Sequence, residues 1–200
     1  MHTFFSKIRL IAMLALTGLL GAVPLQVSAQ SGSCTTAACT VTSQVNFSVV
    51  IPSFMRFRLG ATGATQDTVT FTVPAANVGD SGSIAGTGGD VGAGVSTVQV
   101  VANMNGNVVV SVAVSNAAGI PCATAGTCGV TLINWNEITT TTAGATTPPA
   151  LDNGSTGTAT FTATAGIVNE VTTWTFAYDN TTTPLSGTYS GNVVYTATAP

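Results

Sequence analysis

Apolar residues alternate with threonine, serine or asparagine through most of this chain, and any fold must first satisfy that two-residue period. Successive side chains on a strand point to opposite faces, so such segments have one apolar face and one hydroxyl-covered face. Val45, Phe47, Val49 and Ile51 alternate until Pro52 interrupts, and Phe54 to Leu59 continues as a short strand. Val69, Phe71 and Val73 make the next apolar face, closed by Pro74. Val108, Val110, Val112 and Val114 share a face, as do Ile133 with Trp135, and Ala159 with Phe161 and Ala163. Trp174, Phe176 and Tyr178 form the strongest aromatic stripe, and it reads as core because it keeps register with the aliphatic positions. Tyr189, Val193 and Tyr195 are the inward residues of a last strand. No segment repeats with the 3.6-residue period of a helix.

Between these runs the chain is rich in turn formers. Residues 75–94 read as a long loop, as does the threonine-rich stretch 139–149 with Pro148-Pro149. Asp179-Asn180 followed by Pro184 marks a turn. Val95 to Ala102 and Asn107 to Val114 flank Asn103-Met104-Asn105-Gly106, a hairpin signal because Asn-Gly favours positive φ. About nine short strands with such connections predict an all-β protein, an immunoglobulin-like or jelly-roll-like two-sheet β-sandwich.

The N-terminus reads as a secretory signal. Lys7 and Arg9 precede an apolar run from Leu10 to Val23, and Val27-Ser28-Ala29 offers a small-x-small cleavage site. The run is shorter than the roughly 20 apolar residues that a spanning helix needs. Residues 1–29 are therefore expected to be cleaved, leaving residues 30–200 as a single β-sandwich domain. Cleavage removes the only histidine, His2, and the only lysine, Lys7. Arg56 and Arg58 then stand against seven acidic residues, a net charge of −5. No basic stripe remains to neutralise phosphates, which argues against nucleic-acid binding, and the acidic surface suits no anionic membrane. Low charge leaves solubility to Thr, Ser and Asn. Thr is β-branched and fits a half-exposed pleated surface.

Four cysteines stand in two close pairs, Cys34 with Cys39 and Cys122 with Cys128. Three connectivities are open, of which pairing within each cluster is the simplest for an exported chain. Zinc would need CxxC-type spacing or histidine partners, and both are missing.

No catalytic constellation emerges, and the chain is expected to be no enzyme and to hold no cofactor or metal. Gly79-Asp80-Ser81-Gly82 is similar to the nucleophile region of trypsin-like proteases, but no histidine or lysine remains to take the serine proton. Gly86-Thr87-Gly88-Gly89-Asp90 has the glycines of a phosphate cradle without its Gly-Lys-Ser/Thr. The seven carboxylates are scattered singly and read as solvated turn residues. Asp80, Asp90 and Asp152 lack EF-hand spacing for calcium. Arg56 and Arg58 would share one strand face, as a solvated pair or as a contact to a neighbouring acidic subunit.

Two segments carry a family resemblance. Cys39-Thr40-Val41-Thr42-Ser43-Gln44-Val45 to Ile51-Pro52 resembles the N-terminal extension of alternative chaperone–usher pilins and spore-coat-U-like secreted proteins. Gly187-Thr188-Tyr189-Ser190-Gly191-Asn192-Val193-Val194-Tyr195-Thr196-Ala197 resembles the closing strand of the same broad group. Phe57-Arg58-Leu59-Gly60 with that ending also resembles secreted β-sandwich proteins of Gram-negative bacteria. The resemblance covers about a quarter of the chain. It implies a periplasmic, secreted or cell-surface protein whose N-terminal strand completes the sandwich of the next subunit by β-augmentation. Residues 30–52, through Val45, Phe47, Val49 and Ile51, would be that donor or else the first strand of a self-contained sandwich. The partners so implied are copies of itself or other surface subunits, and a periplasmic chaperone. The chain departs from pilins in ending Thr198-Ala199-Pro200, and in carrying a cysteine pair before the donor. The other function class is a monomeric binding module, for glycan for example, which would need Trp135 and Trp174 exposed.

Overall fold

The computed structural model describes residues 32–63, 66–123, 127–154 and 157–200. The expected signal peptide, residues 1–29, lies outside the described residues. The chain divides into two units, Met1–Val50 and Ile51–Pro200. In the first, a disulfide joins Cys34 to Cys39, and residues 40–50 run on as chain that belongs to no strand.

The second unit is all-β. Its strands are β1 (Met55–Leu59), β2 (Val69–Thr70), β3 (Ile84–Ala85), β4 (Thr87–Gly88), β5 (Val95–Ala102), β6 (Val108–Val114), β7 (Ile120–Pro121), β8 (Leu132–Ile133), β9 (Ile138–Thr142), β10 (Thr158–Phe161), β11 (Val168–Tyr178) and β12 (Val193–Thr198). Twelve strands among the described residues thus replace the roughly nine expected, but five of them are only two residues long.

Two antiparallel sheets face each other. The first runs β1-β5-β11, with β9 on the far side of β11 and β3 continuing beyond the end of β5. The second runs β10-β6-β12. β1-β5-β11-β9 follow the A-B-E-D order and β6-β12 the C-F order of an immunoglobulin-type sandwich, with β10 added beside β6 from between β9 and β11 in the chain. The alternation explains the layering. Val98, Val100 and Ala102 of β5 and Val168 and Trp174 of β11 bury against Val108 and Val110 of β6 and Ala159 and Phe161 of β10. Fully burying Trp174 or Phe161 contributes on the order of 2–3 kcal/mol each. The Trp174 ring meets Tyr195 of β12 at a centroid distance of 5.3 Å, which ties the two sheets together. A second cluster gathers Val112, Ile120, Ile133, Trp135, Leu151 and Tyr178.

Two connections differ from expectation. Residues 103–107 do not close a hairpin, because β5 and β6 lie in different sheets. They form an arch in which asparagines bind neighbouring segments. The Asn103 side chain accepts from Phe54 N and donates to Pro52 O, Asn107 Oδ1 accepts from Ala163 N, and Asn105 N donates to Gly166 O. Both connections satisfy the alternation, but only the arch lets the two valine faces bury each other. The stretch 139–149 begins as strand, since Ile138–Thr142 pairs with β11 from Tyr178 to Trp174. Its β-branched threonines have cross-strand partners, which decides for sheet over loop.

The expected loop 75–94 contains β3 and β4. Glycines make this local structure. Gly88 and Gly94 have φ of +84° and +73°, and Gly94 passes so close to Gly86 that a Cβ on it would lie 2.8 Å from the Gly86 Cα. Any side chain there would push the β4–β5 turn off β11, where Phe176 N donates to Gly94 O at 2.9 Å.

Candidate functional site

The cysteines, tryptophans, turn carboxylates, arginines and N-terminal apolar residues fall into buried scaffold, pinned loops and exposed edges. Both cysteine pairs are disulfides, Cys34–Cys39 and Cys122–Cys128, each closing a short loop worth about 2 kcal/mol. Trp135 and Trp174 are 3% and 0% exposed, so neither supplies an aromatic sugar platform. The Trp135 Nε1 donates to Asn116 O at 2.7 Å, and its ring lies against Gly191.

Gly79-Asp80-Ser81-Gly82 is a braced turn. Asp80 accepts from Asn77 Nδ2 and Gly82 N, each at 2.7 Å, and from Asn180 Nδ2 at 3.1 Å. The donors on Asn77 and Gly82 hold the Asp80 carboxyl below its usual range. Asn180, 1% exposed with φ +51°, also accepts from Gly79 N and donates to Asn77 O. In the neighbouring turn, Asp90 Oδ1 accepts from Thr97 N at 2.6 Å, while Asp67 accepts from Ala61 N, Asp90 N and Ser96 Oγ. Asp152 accepts from Asn153 N. No three potential metal ligands come together among the described residues.

Two carboxylates depart from the solvated-turn expectation: Glu170 is half-buried within β11 and accepts from Thr146 Oγ1 at 3.0 Å, and Glu137 departs further. Glu137 is 3% exposed and accepts from Thr181 N at 2.7 Å and from Thr181 Oγ1. Its sequence signal was only its position beside Trp135, and burial there follows from the 3-10 turn over residues 135–137. Two surface concavities lie along β11, and Glu170 is the one carboxylate in their linings.

Arg56 and Arg58 share the outer face of β1, opposite Val101 and Gln99 of β5. Arg56 is exposed. Arg58 is half-buried and donates from Nη1 to Gly60 O at 3.1 Å.

The exposed apolar groups concentrate in the expected donor. Val45, Phe47, Val49 and Ile51 are 72%, 89%, 81% and 75% exposed. The first strand proper starts later, at Met55. In the sandwich, β12 pairs on one side with β6, and its other edge has no strand partner among the described residues. Tyr195, Ala197 and Ala199, which face the core from that edge, are only half-buried, as are Phe57 and Leu59 of β1, the edge strand of the other sheet. An immunoglobulin-type sandwich has its seventh strand, G, beside strand F, which is the position of β12. The sequence pattern does not distinguish this edge, because an unpaired strand alternates just as a paired one does.

No protein-family model, curated protein or solved structure matches this chain.

Proposed function

We propose that the chain is a structural subunit of a surface filament or extracellular matrix, and that copies join by β-strand addition. Residues 45–51 of one copy lie along the free edge of β12 in the next and take the place of the seventh strand. The observation that carries this reading is the open β12 edge, with its half-buried core residues, in a chain that exposes Val45, Phe47, Val49 and Ile51. Edge strands of stable monomers are blunted by charge, proline or a covering loop; β12 carries no charged residue and no proline. Burying four such apolar side chains is worth roughly 6–10 kcal/mol gross, enough to offset much of the cost of association. Backbone pairing adds affinity, and the alternation sets register.

Disulfides, and the lack of any spanning helix among the described residues, are compatible with an extracytoplasmic protein. The subunit is exported to the periplasm or cell surface of a Gram-negative bacterium. A periplasmic chaperone covers the β12 edge until assembly. The role is structural and needs no catalytic group.

The test is the oligomeric state of the mature chain by light scattering after size exclusion. Deleting residues 40–51 leaves a folded body that stays monomeric, while the intact mature chain forms linear oligomers. An intact chain that is folded and monomeric at high concentration would overturn the proposal.

A further inference from the structure

We propose that the outer face of the β10-β6-β12 sheet is a second self-association surface, through which strand-linked copies pack side by side. This rests on the strand-addition reading above and adds a second, lateral contact to it.

Register builds the face. Thr158, Ser111 and Thr196 stand in one row across the three strands, and Thr160, Val109 and Thr198 in the next. All are exposed except Ser111, which is half-buried. Val194, 59% exposed, extends the face along β12. Neither arginine and none of the seven carboxylates lies on β6, β10 or β12. The other sheet's outer face differs, since it carries both Arg56 and Arg58. A donor strand seated beside β12 with its odd-numbered apolar residues inward would turn Asn46, Ser48 and Val50 outward. Those residues are short and uncharged too, so the donor widens the same face to four strands.

Charge identifies the occupant as a second copy. Residues 32–200 hold seven carboxylates against two arginines, so two copies repel wherever their carboxylate-bearing surfaces meet. The β10-β6-β12 face is where they can approach without that cost, and its short β-branched side chains can interdigitate with their own kind as packed sheets do. Size decides when this happens. Strand and residue spacings give a patch of roughly 300 Å² per copy, well under the about 800 Å² per partner of a stable complex. Free subunits therefore do not pair through it. A linear polymer presents the face once per subunit, and the many weak contacts act together. Lateral packing follows linear assembly.

The experiment compares the full mature chain with Thr158→Lys/Thr160→Lys, which puts charge on β10, the strand of the face farthest from the β12 edge, and with Thr158→Val/Thr160→Val, which keeps it neutral. Filament width by electron microscopy and pelleting at low speed are read at low ionic strength. Wild type and the valine variant form bundles. The lysine variant forms single filaments of wild-type length, and its pelleted fraction falls by about tenfold as charge repulsion replaces contact. Val109→Lys alone, on the central strand β6, gives the same direction if the double variant folds poorly. Lysine filaments that bundle like wild type, or wild-type filaments that stay single, overturn the lateral face while leaving linear assembly intact. Bundling that requires added polysaccharide assigns the face to that ligand and also overturns it. A chain that never forms linear polymers removes both readings together.

Discussion

At the scale of single residues, the most informative group is Asn180. Its side chain spends both its acceptor and its donors on the 77–80 turn, from a left-handed backbone position that asparagine tolerates. Asn180→Ala leaves Gly79 N without its partner and should cost about 2 kcal/mol in urea denaturation. Asn180→Asp keeps the shape but sets a second carboxylate against Asp80. It should be the more destabilising of the two at pH 7, and partly recover near pH 3 as the pair protonates. A wild-type melting curve from either variant would remove Asn180 as the brace of that turn. The turn itself was legible, since Asp-Asn before a proline is a turn signal. Its burial was not, because asparagine and glutamate read as surface residues. Only the folded chain brings residue 180 to residues 77–80, and Thr181 to Glu137.

At the scale of elements, alternation reported faces well and partners poorly. Val108 with Val110, and Ala159 with Phe161, were placed on faces that prove buried. The apolar stripe of Trp174, Phe176 and Tyr178 is inward as its register required. Which sheet a strand joins is a long-range choice, and the 103–107 connection shows it: the same Asn-Gly signal serves an arch as readily as a hairpin. The alternation of Val45, Phe47, Val49 and Ile51 was equally legible, whereas the open β12 edge needed the topology. Glycine contacts are another long-range matter. Gly94→Ala would force a Cβ to within 3.0 Å of the Phe176 carbonyl oxygen at a φ of +73°. The variant should lose about 2 kcal/mol by thermal denaturation. An unchanged melting temperature would mean that the β4–β5 turn does not lean on β11.

At the scale of the whole molecule, composition sets an unusual pH response. Among residues 32–200 there is no histidine or lysine, and the four cysteines are in disulfides. The shifted groups lie at the two extremes. Asp80 titrates below its ordinary value, so its contribution is present above about pH 4 and fades as pH falls below that. Burial raises Tyr195, and burial together with the Glu137 carboxylate raises Tyr178. Both phenols are neutral in the fold. Their stabilisation is complete below the unfolded value near pH 10 and is lost as pH climbs above it. The melting temperature of the mature chain should therefore be nearly flat from about pH 5 to 9 and fall on both sides. A drop of many degrees between pH 6 and 8 would contradict this account.

The two arginines of β1 have one more consequence. They are the only positions among residues 32–200 after which a trypsin-like protease can cut. Both sit in a strand laddered to β5 through all five of its residues. Cleavage needs the backbone of β1 to peel away, so digestion reports local opening of that one edge. Trypsin added to the native chain should leave it intact for hours, and should sever it only at Arg56 or Arg58 once urea loosens β1. A coat or fibre built from such subunits would outlast neighbours with ordinary lysine content wherever secreted proteases are abundant.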